Sequence, residues 1–298
     1  MQLGALTGQL AALGAAACWA LTALIFEAAG KRIGSLSLNL LRLALALAAM
    51  LPTVWLTTGN PLPVAASAGS WLWLSVSGLA GFVIGDLCLI KALVEIGPRL
   101  STLLMSLVPL LTVLLGRLFL DERLPPLALV GIALTVGGIG MAVLARHPEG
   151  DEGRRLSRRG IALGLGGAFG QACGLVLSKL GMGTLNPFAA TEVRLIAGVA
   201  GFSLLFVFLR WWPQVRQAMR DRRAMGFTAL GAFFGPYLGV SLSLVAVRDT
   251  PAGVAASLMA TTPILVLPLI VWLRRERVGF GAVVGAVVAV AGVVLLFL

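Results

Sequence analysis

The stretches VPLLTVLLGRLFLDER (residues 108–123) and TPILVLPLIVWLRRER (residues 262–277) carry the same pattern, 154 positions apart. In both, a proline in the second position is followed thirteen residues later by a glutamate. When residues 81–144 are laid over residues 235–298 without gaps, 16 of the 64 positions are identical. Agreement on this scale at one fixed offset indicates an internal repeat.

The composition places the whole chain in a membrane. Hydrophobic residues make up 59% and charged residues 12%, and the mean hydropathy is +0.99; a soluble domain averages about 25% charged residues. Apolar runs of about 20 residues recur from end to end, which predicts membrane-spanning helices. Their continuity disfavours a barrel of alternating strands. The net charge of +11 is explained by basic loops, so we expect no nucleic-acid partner.

The amino-terminal part of the chain also repeats, at an offset of 152. Three matches carry this register: Gly8, Gly14 and Arg42 fall on Gly160, Gly166 and Arg194. We therefore divide the chain into a first repeat of residues 1–145, a connecting loop of residues 146–157 and a second repeat of residues 158–298. Duplication within a membrane protein is typical of transporters.

Polar, proline-rich and glycine-rich breaks predict an all-α membrane fold of ten spans. The basic run 216–223 is predicted to be a loop. Five spans per repeat is an odd number, so the second repeat enters from the opposite side and the two repeats are inverted. Inverted repeats favour alternating access around a central site, and a membrane scaffold without transport is the alternative. The spans are predicted near residues 5–28, 35–57, 69–91, 98–118, 125–145, 158–179, 187–210, 225–247, 251–273 and 278–298.

Basic residues are distributed unevenly over the predicted loops. The loops after spans 1, 3, 5, 7 and 9 hold 17 lysines and arginines, and those after spans 2, 4, 6 and 8 hold four. Cytoplasmic loops carry the excess of positive charge. The chain is therefore expected to be a multi-pass protein of a bacterial-type inner membrane, with both termini outside the cytoplasm.

Arg42 in span 2 and Asp86 in span 3 are ionisable residues inside predicted spans, where such groups face a cavity or a partner. Both lie near the same membrane face, so they are candidates to pair. One interpretation is a buried ion pair that holds the two spans together. In the other, Asp86 is a protonatable carboxylate that couples transport to protons, and both residues belong to the substrate cavity.

The repeat is asymmetric at this pair. Arg194 corresponds to Arg42, but the position that corresponds to Asp86 is Val240. Arg194 therefore lacks the equivalent partner. A loop or lipid phosphate is one expected partner for Arg194, and an anionic substrate group such as a carboxylate is another, since a guanidinium suits either.

Matching residues of the two repeats also suggest structural roles. Pro109 and Pro263 lie in the middle of spans 4 and 9, where proline bends a helix and points to the transport path. Glu122 and Glu276 end these spans beside arginines. We expect surface ion pairs or capping of the next span's amide groups there.

Further polar and aromatic side chains near the middle of the spans complete the predicted site. Each one alone is explained by helix packing, and as a set they would make a mildly polar cavity. Tyr237 and Trp19 are candidates to stack on a planar or cationic group. The remaining cavity candidates are Ser106, Gln171 and Thr261.

The sequence contains no pattern for enzyme chemistry. The single histidine, His147, lies in a predicted loop, and no phosphate-binding glycine loop, nucleophile triad or metal cluster can be assembled. We expect no catalytic residues, no metal and no cofactor. The expected partners are a small-molecule substrate, the lipid bilayer and protons, with a monomer or a homodimer as the assembly.

The repeated PLL-x9-DER and PIL-x9-RER patterns, each ahead of a glycine-rich last span, resemble EamA-type members of the drug/metabolite transporter superfamily. The resemblance covers essentially the whole chain. It implies ten helices in two inverted five-helix repeats. Spans 1, 3, 4, 6, 8 and 9 would surround a central cavity, with spans 5 and 10 outside it. It also implies cytoplasmic termini for many relatives, whereas the loop charges here favour the opposite orientation.

The residues and the resemblance together predict a secondary active transporter that exports a small polar, amino-acid-like metabolite. The few fixed charges of the cavity candidates favour zwitterionic or neutral cargo over polyanions. Efflux of cationic or aromatic drugs and lipid flippase or scramblase activity are the alternatives. The sequence names neither the cargo nor the coupling ion.

Overall fold

The computed structural model describes residues 2–145, 157–266, 268 and 279–297, and within them every regular element is helical. Two π-helical segments, Leu79–Gly85 and Phe233–Gly239, each join two α-helices end to end. The α-helices are α1 Gln2–Ile33, α2 Ser35–Thr58, α3 Ala68–Gly78, α4 Asp86–Met105, α5 Val108–Phe119, α6 Pro126–Leu144, α7 Arg158–Met182, α8 Pro187–Phe208, α9 Trp212–Arg220, α10 Arg222–Ala232, α11 Val240–Asp249, α12 Ala252–Met259 and α13 Phe280–Leu295.

Local sequence explains where these helices begin. Ser67, Ser157 and Asn186 each precede a helix and accept a hydrogen bond from an amide of its first turn, which satisfies one of the donors left free at a helix start. Gly59 follows α2 with a φ of 79°, a backbone conformation in which glycine avoids a steric penalty. The predicted breaks and the observed helix ends therefore agree closely at these positions.

The basic run 216–223 differs from its prediction as a loop. Residues Trp212–Arg220 form α9, which places Val215 and Ala218 in the interior and leaves its arginines exposed. A short helix with apolar residues on one side and basic residues on the other buries only its apolar face. The charge of this run concealed its helical period.

The two repeats share their irregularities at the offset of 154. The π-helical segments begin at residues 79 and 233, and non-helical turns occur at residues 106–107 and 260–261. Each turn precedes a short helical segment in which Pro109 or Pro263 is the second residue. These prolines therefore start a second helical segment within a span, where the amide that proline lacks has no helical partner.

Helices α6 and α13 pack backbone to backbone through glycines. A Cβ atom added to Gly138 would lie 2.4 Å from the amide nitrogen of Ala289, and one added to Gly292 would lie 2.5 Å from that of Thr135. Gly138 and Gly292 correspond at the offset of 154. Small residues allow helices to approach this closely, so the last helices of the two repeats form a shared seam.

Helix α1 connects two ends of the bundle. Gly8 lies against Thr250, where a Cβ atom would be 2.1 Å from the hydroxyl, and Arg32 Nε pairs with Asp221 Oδ2 at 2.8 Å. The 24 residues between these contacts span about 36 Å at about 1.5 Å per residue, which exceeds the hydrocarbon core of about 30 Å. The contacts therefore mark opposite ends, called here the Thr250 end and the Asp221 end.

Asp221 is a half-buried carboxylate that caps the start of α10. It accepts a hydrogen bond from the amide of Ala224 at 3.0 Å and pairs with Arg32. The amide hydrogen bond, followed by the guanidinium, holds the pKa of Asp221 below its usual value. The charged form of this side chain is thus favoured by folding.

Seven helices of the described residues are long and apolar enough to cross a membrane. They lie at Gly4–Ile33, Ser35–Thr58, Leu100–Phe119, Pro126–Leu144, Arg158–Met182, Pro187–Phe208 and Arg222–Asp249, and Ala252–Val266 and Phe280–Leu295 are shorter apolar helices. Predicted span 3, residues 69–91, contains Asp86 and Lys91, which lower its hydropathy. The count of ten spans therefore stays a prediction.

Candidate functional site

A cavity of about 540 Å³ lies in the middle of the bundle, and residues of both repeats line it. Six of the eight predicted cavity residues are among those that line it: Trp19, Arg42, Asp86, Ser106, Gln171 and Arg194. Their side chains come from α1, α2, α4, the turn after α4, α7 and α8. The lining thus includes predicted spans 2 and 7, which the resemblance does not place around the cavity. Span 2 contributes Arg42 and Leu43, and span 7 contributes Arg194.

Arg42, Asp86 and Gln171 form one connected network. Arg42 Nη2 is paired with Asp86 Oδ2, and both side chains are 13% exposed. Gln171 Nε2 donates to Asp86 Oδ1 at 2.9 Å and to the carbonyl oxygen of Gly81 at 3.3 Å. The Arg42 guanidinium also lies over the ring of Phe26, 5.4 Å from its centre. Asp86 is therefore held by donors from both repeats.

Arg194 has a different environment. The residue is 5% exposed, and its guanidinium lies over the ring of Phe82, 4.8 Å from the ring centre. Its Nε has no hydrogen-bond partner, and within the described part of the chain the side chain makes no ion pair. A charge in a membrane interior is costly without a partner, and the cation–π contact offsets only part of that cost.

Glycines bring α7 close to the helix that carries Asp86. A Cβ atom on Gly174 would lie 3.1 Å from the Cα of Gly81. Beside this contact, Ser77 Oγ donates to the carbonyl oxygen of Gly174 at 2.6 Å and lies 2.7 Å from Ser178 Oγ. The π-helical segment that contains Gly81 ends just before Asp86, and such segments are frequent at functional sites. This packing positions Gln171 beside Asp86.

The other two predicted cavity residues lie outside the lining. The hydroxyls of Tyr237 and Thr53 are 2.9 Å apart, and the ring of Tyr237 stacks on that of Phe233 at 5.2 Å between centres. Thr261 is buried and donates to the carbonyl oxygen of Leu258 at 2.7 Å. Both side chains contribute to helix packing. Of the two predicted prolines, Pro263 lines the cavity and Pro109 is buried beside it in α5.

Glu122 joins the two repeats at the Thr250 end. Its Oε1 pairs with Lys179 Nζ at 2.7 Å, and its Oε2 accepts from the amide of Ala252 at 2.8 Å. Lys179 also donates to the carbonyl oxygen of Thr250 at 2.8 Å. We call these four residues the Glu122 cluster. The sequence predicts an arginine or the amides of the next span as partners of Glu122. The observed partners belong to α7 and α12 instead, because both helices reach this end of the bundle.

Glu276, the counterpart of Glu122 in the second repeat, lies outside the described residues, as does Arg277 beside it. The predicted connecting loop 146–157 also lies outside them, apart from Ser157, which caps α7. For these positions the structural roles drawn from the repeat pattern stay predictions.

Sequence reasoning missed two residues of the cavity lining. Phe26 and Phe82 line the cavity beneath the two guanidiniums, yet a phenylalanine in an apolar span carries no signal that separates it from core packing. Among the described residues, both carboxylate oxygens of the fully buried Glu192 lack a hydrogen-bond partner. It does not line the cavity, and its charge within an apolar span is the signal that the sequence gives for it.

Comparison with known proteins agrees with this geometry. The model of the EamA-like transporter family matches residues 6–144 and again residues 158–298. The chain belongs to the EamA-like transporter family. This EamA-like chain is therefore a multi-pass membrane transporter with the two-repeat architecture of that family, and the resemblance given by its repeated patterns is confirmed.

A solved structure described only as "Crystal structure of protein" has a similar fold. It aligns with a TM-score of 0.75 and 18% sequence identity over 97% of the EamA-like chain and 95% of its own chain. Identity at this level shows a shared fold and carries no information on cargo. No curated protein matches the chain.

Proposed function

We propose that this EamA-like protein exports a small polar, amino-acid-like metabolite by alternating access between two inverted five-helix repeats, residues 1–145 and 158–298. The observation that carries this proposal is the central cavity, which both repeats line. A volume of about 540 Å³ lies within the range of about 300–1,000 Å³ that is usual for small-molecule sites. Ten spans, with the connecting loop at 146–157, complete the proposed architecture.

The position of the cavity supports alternating access. The Glu122 cluster joins the two repeats at the Thr250 end through an ion pair and a capped helix start. Cavity residues such as Phe26 and Arg42 lie about two helical turns from the junction of α1 and α2, which belongs to the Asp221 end. In alternating access one end of the bundle is closed while the other admits cargo, and we propose that the Thr250 end is the closed one in this state.

Counterflow in proteoliposomes tests the proposal. Purified protein is reconstituted, vesicles are loaded with individual amino acids or other small metabolites, and uptake of the matching labelled solute is measured. We expect exchange of a small set of zwitterionic or singly charged solutes. Translocation of labelled phospholipid without solute exchange would favour a flippase, and the absence of both would contradict transport.

Asp86 is the proposed site of proton coupling. It lies in the cavity, and its hydrogen bonds from Arg42 and Gln171 tie it to both repeats. In the Asp86→Asn variant, counterflow should persist while a pH gradient no longer drives uptake. Folding is checked by size-exclusion chromatography, and loss of the folded variant would support a purely structural ion pair.

The loop charges support an inner-membrane orientation with both termini outside the cytoplasm. Exposed positions in loops of opposite predicted sides offer a direct check: Asn60 follows α2, and Gln217 lies in α9. In whole cells, a membrane-impermeant maleimide should label an Asn60→Cys variant and not a Gln217→Cys variant. The reverse pattern would invert the orientation and the direction of transport.

A further inference from the structure

The cavity carries an uncompensated positive charge at a defined place. Its charged lining residues within the described chain are Arg42, Asp86 and Arg194, so two guanidiniums and one carboxylate give a net charge of +1. Arg42 is paired with Asp86. The excess charge therefore lies on Arg194.

The donors of Arg194 are arranged for a planar anion. The ring of Phe82 covers one face of the guanidinium at 4.8 Å, and the N–H groups of a guanidinium lie in its plane, where stacking leaves them free. A carboxylate matches two such donors in a bidentate pair. The stacking thus fixes the plane of the group without occupying its binding edge.

Gly81 lies beside that edge, and its missing side chain leaves room for a single carbon atom. A Cβ atom at this position would lie 3.5 Å from Arg194 Nη2, 3.8 Å from the Cα of Gly174 and 3.9 Å from Gln171 Oε1. Because the Nε2 of Gln171 is engaged by Asp86 and by the Gly81 carbonyl oxygen, its Oε1 is the remaining acceptor of that amide. A guanidinium donor and an amide acceptor therefore border the same small space.

We propose that Arg194 binds the carboxylate of the cargo, with Gln171 Oε1 accepting from an adjacent amine. This inference rests on the proposed function and specifies its substrate class: monocarboxylates, foremost α-amino acids, with an apolar body. The net charge of +1 matches one carboxylate better than a phosphate dianion. Amines without a carboxylate meet the unpaired guanidinium and are repelled.

The depth of Arg194 gives it a role in transport. It lies seven residues into α8 from the junction with α7, and Lys179 of the Glu122 cluster lies near the end of α7. Arg42 lies seven residues into α2 from the opposite end. Cargo that enters at the Asp221 end therefore passes Arg42 first. Arg194 lies nearer the Thr250 end, from which the cargo would leave once that end opens.

Ligand-induced thermal stabilisation of the purified protein in detergent tests the inference. The probes share one body: leucine, 4-methylpentanoate, which lacks the amine, isopentylamine, which lacks the carboxylate, and isopentyl phosphate. Ligands that bind the folded state raise the unfolding midpoint by mass action. We expect saturable shifts with leucine and 4-methylpentanoate, a weaker shift with the phosphate and none with isopentylamine.

Three variants define the site. Arg194→Gln should weaken the apparent affinity for both carboxylates about ten- to a hundredfold, the range for loss of charge-assisted hydrogen bonds. The matched control Arg117→Gln removes a cation that is 48% exposed and paired with Asp121, and it should leave the affinity unchanged. Gly81→Ala keeps Arg194 and fills the adjacent space at ordinary contact distances. It should weaken carboxylate binding even where Arg194→Gln does not fold.

The outcomes separate this inference from the proposed function. It is overturned if the carboxylates do not stabilise the wild type, if isopentylamine stabilises it equally, or if Arg194→Gln and Gly81→Ala both keep full affinity. An equal loss in Arg117→Gln would also overturn it, because that result indicates a general charge effect. Carboxylate binding without counterflow of any solute would retain the site and contradict transport. Counterflow that is indifferent to the carboxylate would retain transport and contradict the site.

Discussion

Arg42 and Arg194 occupy corresponding positions of the two repeats, and their surroundings differ. Each guanidinium lies over a phenylalanine ring, Phe26 or Phe82. Arg42 also has the carboxylate of Asp86, whereas in the second repeat Val240 takes the place of that aspartate. Both repeats thus have an arginine in the cavity lining, and Asp86 neutralises the one in the first repeat.

The difference separates an internal contact from a binding group. A buried ion pair satisfies itself, and removing one partner leaves an uncompensated charge. A buried cation without a partner retains its electrostatic attraction for an incoming anion. By this reasoning the paired arginine stabilises the bundle and the unpaired arginine recognises cargo, although both came from the same ancestral position.

The largest expected effect comes from replacing each arginine by methionine. Arg42→Met leaves Asp86 buried with only the Gln171 amide, and we expect a loss of about 3–5 kcal/mol in the free energy of unfolding, the usual cost of breaking a buried pair. Arg194→Met removes a charge that has no ion-pair partner among the described residues, so stability should stay equal or rise. Unfolding in graded denaturant measures both variants, and equal losses would show that Arg194 has a structural partner.

Substitutions in the seam between α6 and α13 test the region where the two repeats have the same structure. Gly138→Ala and Gly292→Ala place a Cβ atom within 2.4 Å and 2.5 Å of a backbone amide, and each should cost about 1–3 kcal/mol through overpacking. The control Gly137→Ala meets open space and should gain up to about 1 kcal/mol from helix propensity. Unequal losses at the two seam glycines would indicate that the two helices differ in their ability to move apart at these positions.

Restoring the missing carboxylate would erase the difference between the repeats. Val240→Asp introduces an acid at the position equivalent to Asp86, where we expect it to pair with Arg194. The apparent affinity for 4-methylpentanoate should fall at least about tenfold, equivalent to about 1.4 kcal/mol, as measured by thermal stabilisation. The isosteric Val240→Asn variant is the control, and an equal loss there would attribute the effect to polarity or packing.

The smallest expected effect is on the pH dependence of stability, through Asp221. Its folded-state pKa is lowered by the Ala224 amide and Arg32, so its contribution to stability is present above the unfolded pKa. That contribution is lost as the pH falls through the folded pKa. The Asp221→Asn variant can keep the amide cap. As the pH falls from about 5 to about 2, the unfolding midpoint of the wild type decreases, and the variant should show a slightly smaller decrease. An unchanged decline would show that Arg32 adds nothing measurable.

Much of the fold could be predicted because its signals are local. Hydropathy, the repeated proline-to-glutamate pattern and the capping residues Ser67 and Asn186 each act over a few neighbours in the chain. The helix of residues 212–220 was missed because its arginines concealed a short apolar face. At Pro109 and Pro263 the sequence predicts a bend within one helix, whereas the structure has a turn followed by a new helical segment. Proline is compatible with both a kink and a helix start.

The site was less accessible to sequence reasoning because it depends on which helices meet. Charge within an apolar span was enough to select Arg42, Asp86 and Arg194. It could not reveal that Gln171 completes the network or that Glu122 reaches Lys179 rather than a neighbouring arginine. The candidate Tyr237 does not line the cavity, because its hydroxyl meets that of Thr53 and its ring stacks on Phe233.

The sequence by itself determined that this protein is a duplicated membrane transporter of the EamA-like family, since composition, period and repeated patterns are properties of the chain as a string. It also marked the asymmetry between Asp86 and Val240. Only the tertiary structure decided that Asp86 neutralises Arg42 and that Arg194 stands over Phe82 beside Gly81, with no ion pair in the part of the chain that the structure describes. Pairing and exposure depend on distances between helices that are remote in sequence, and those distances are set by packing.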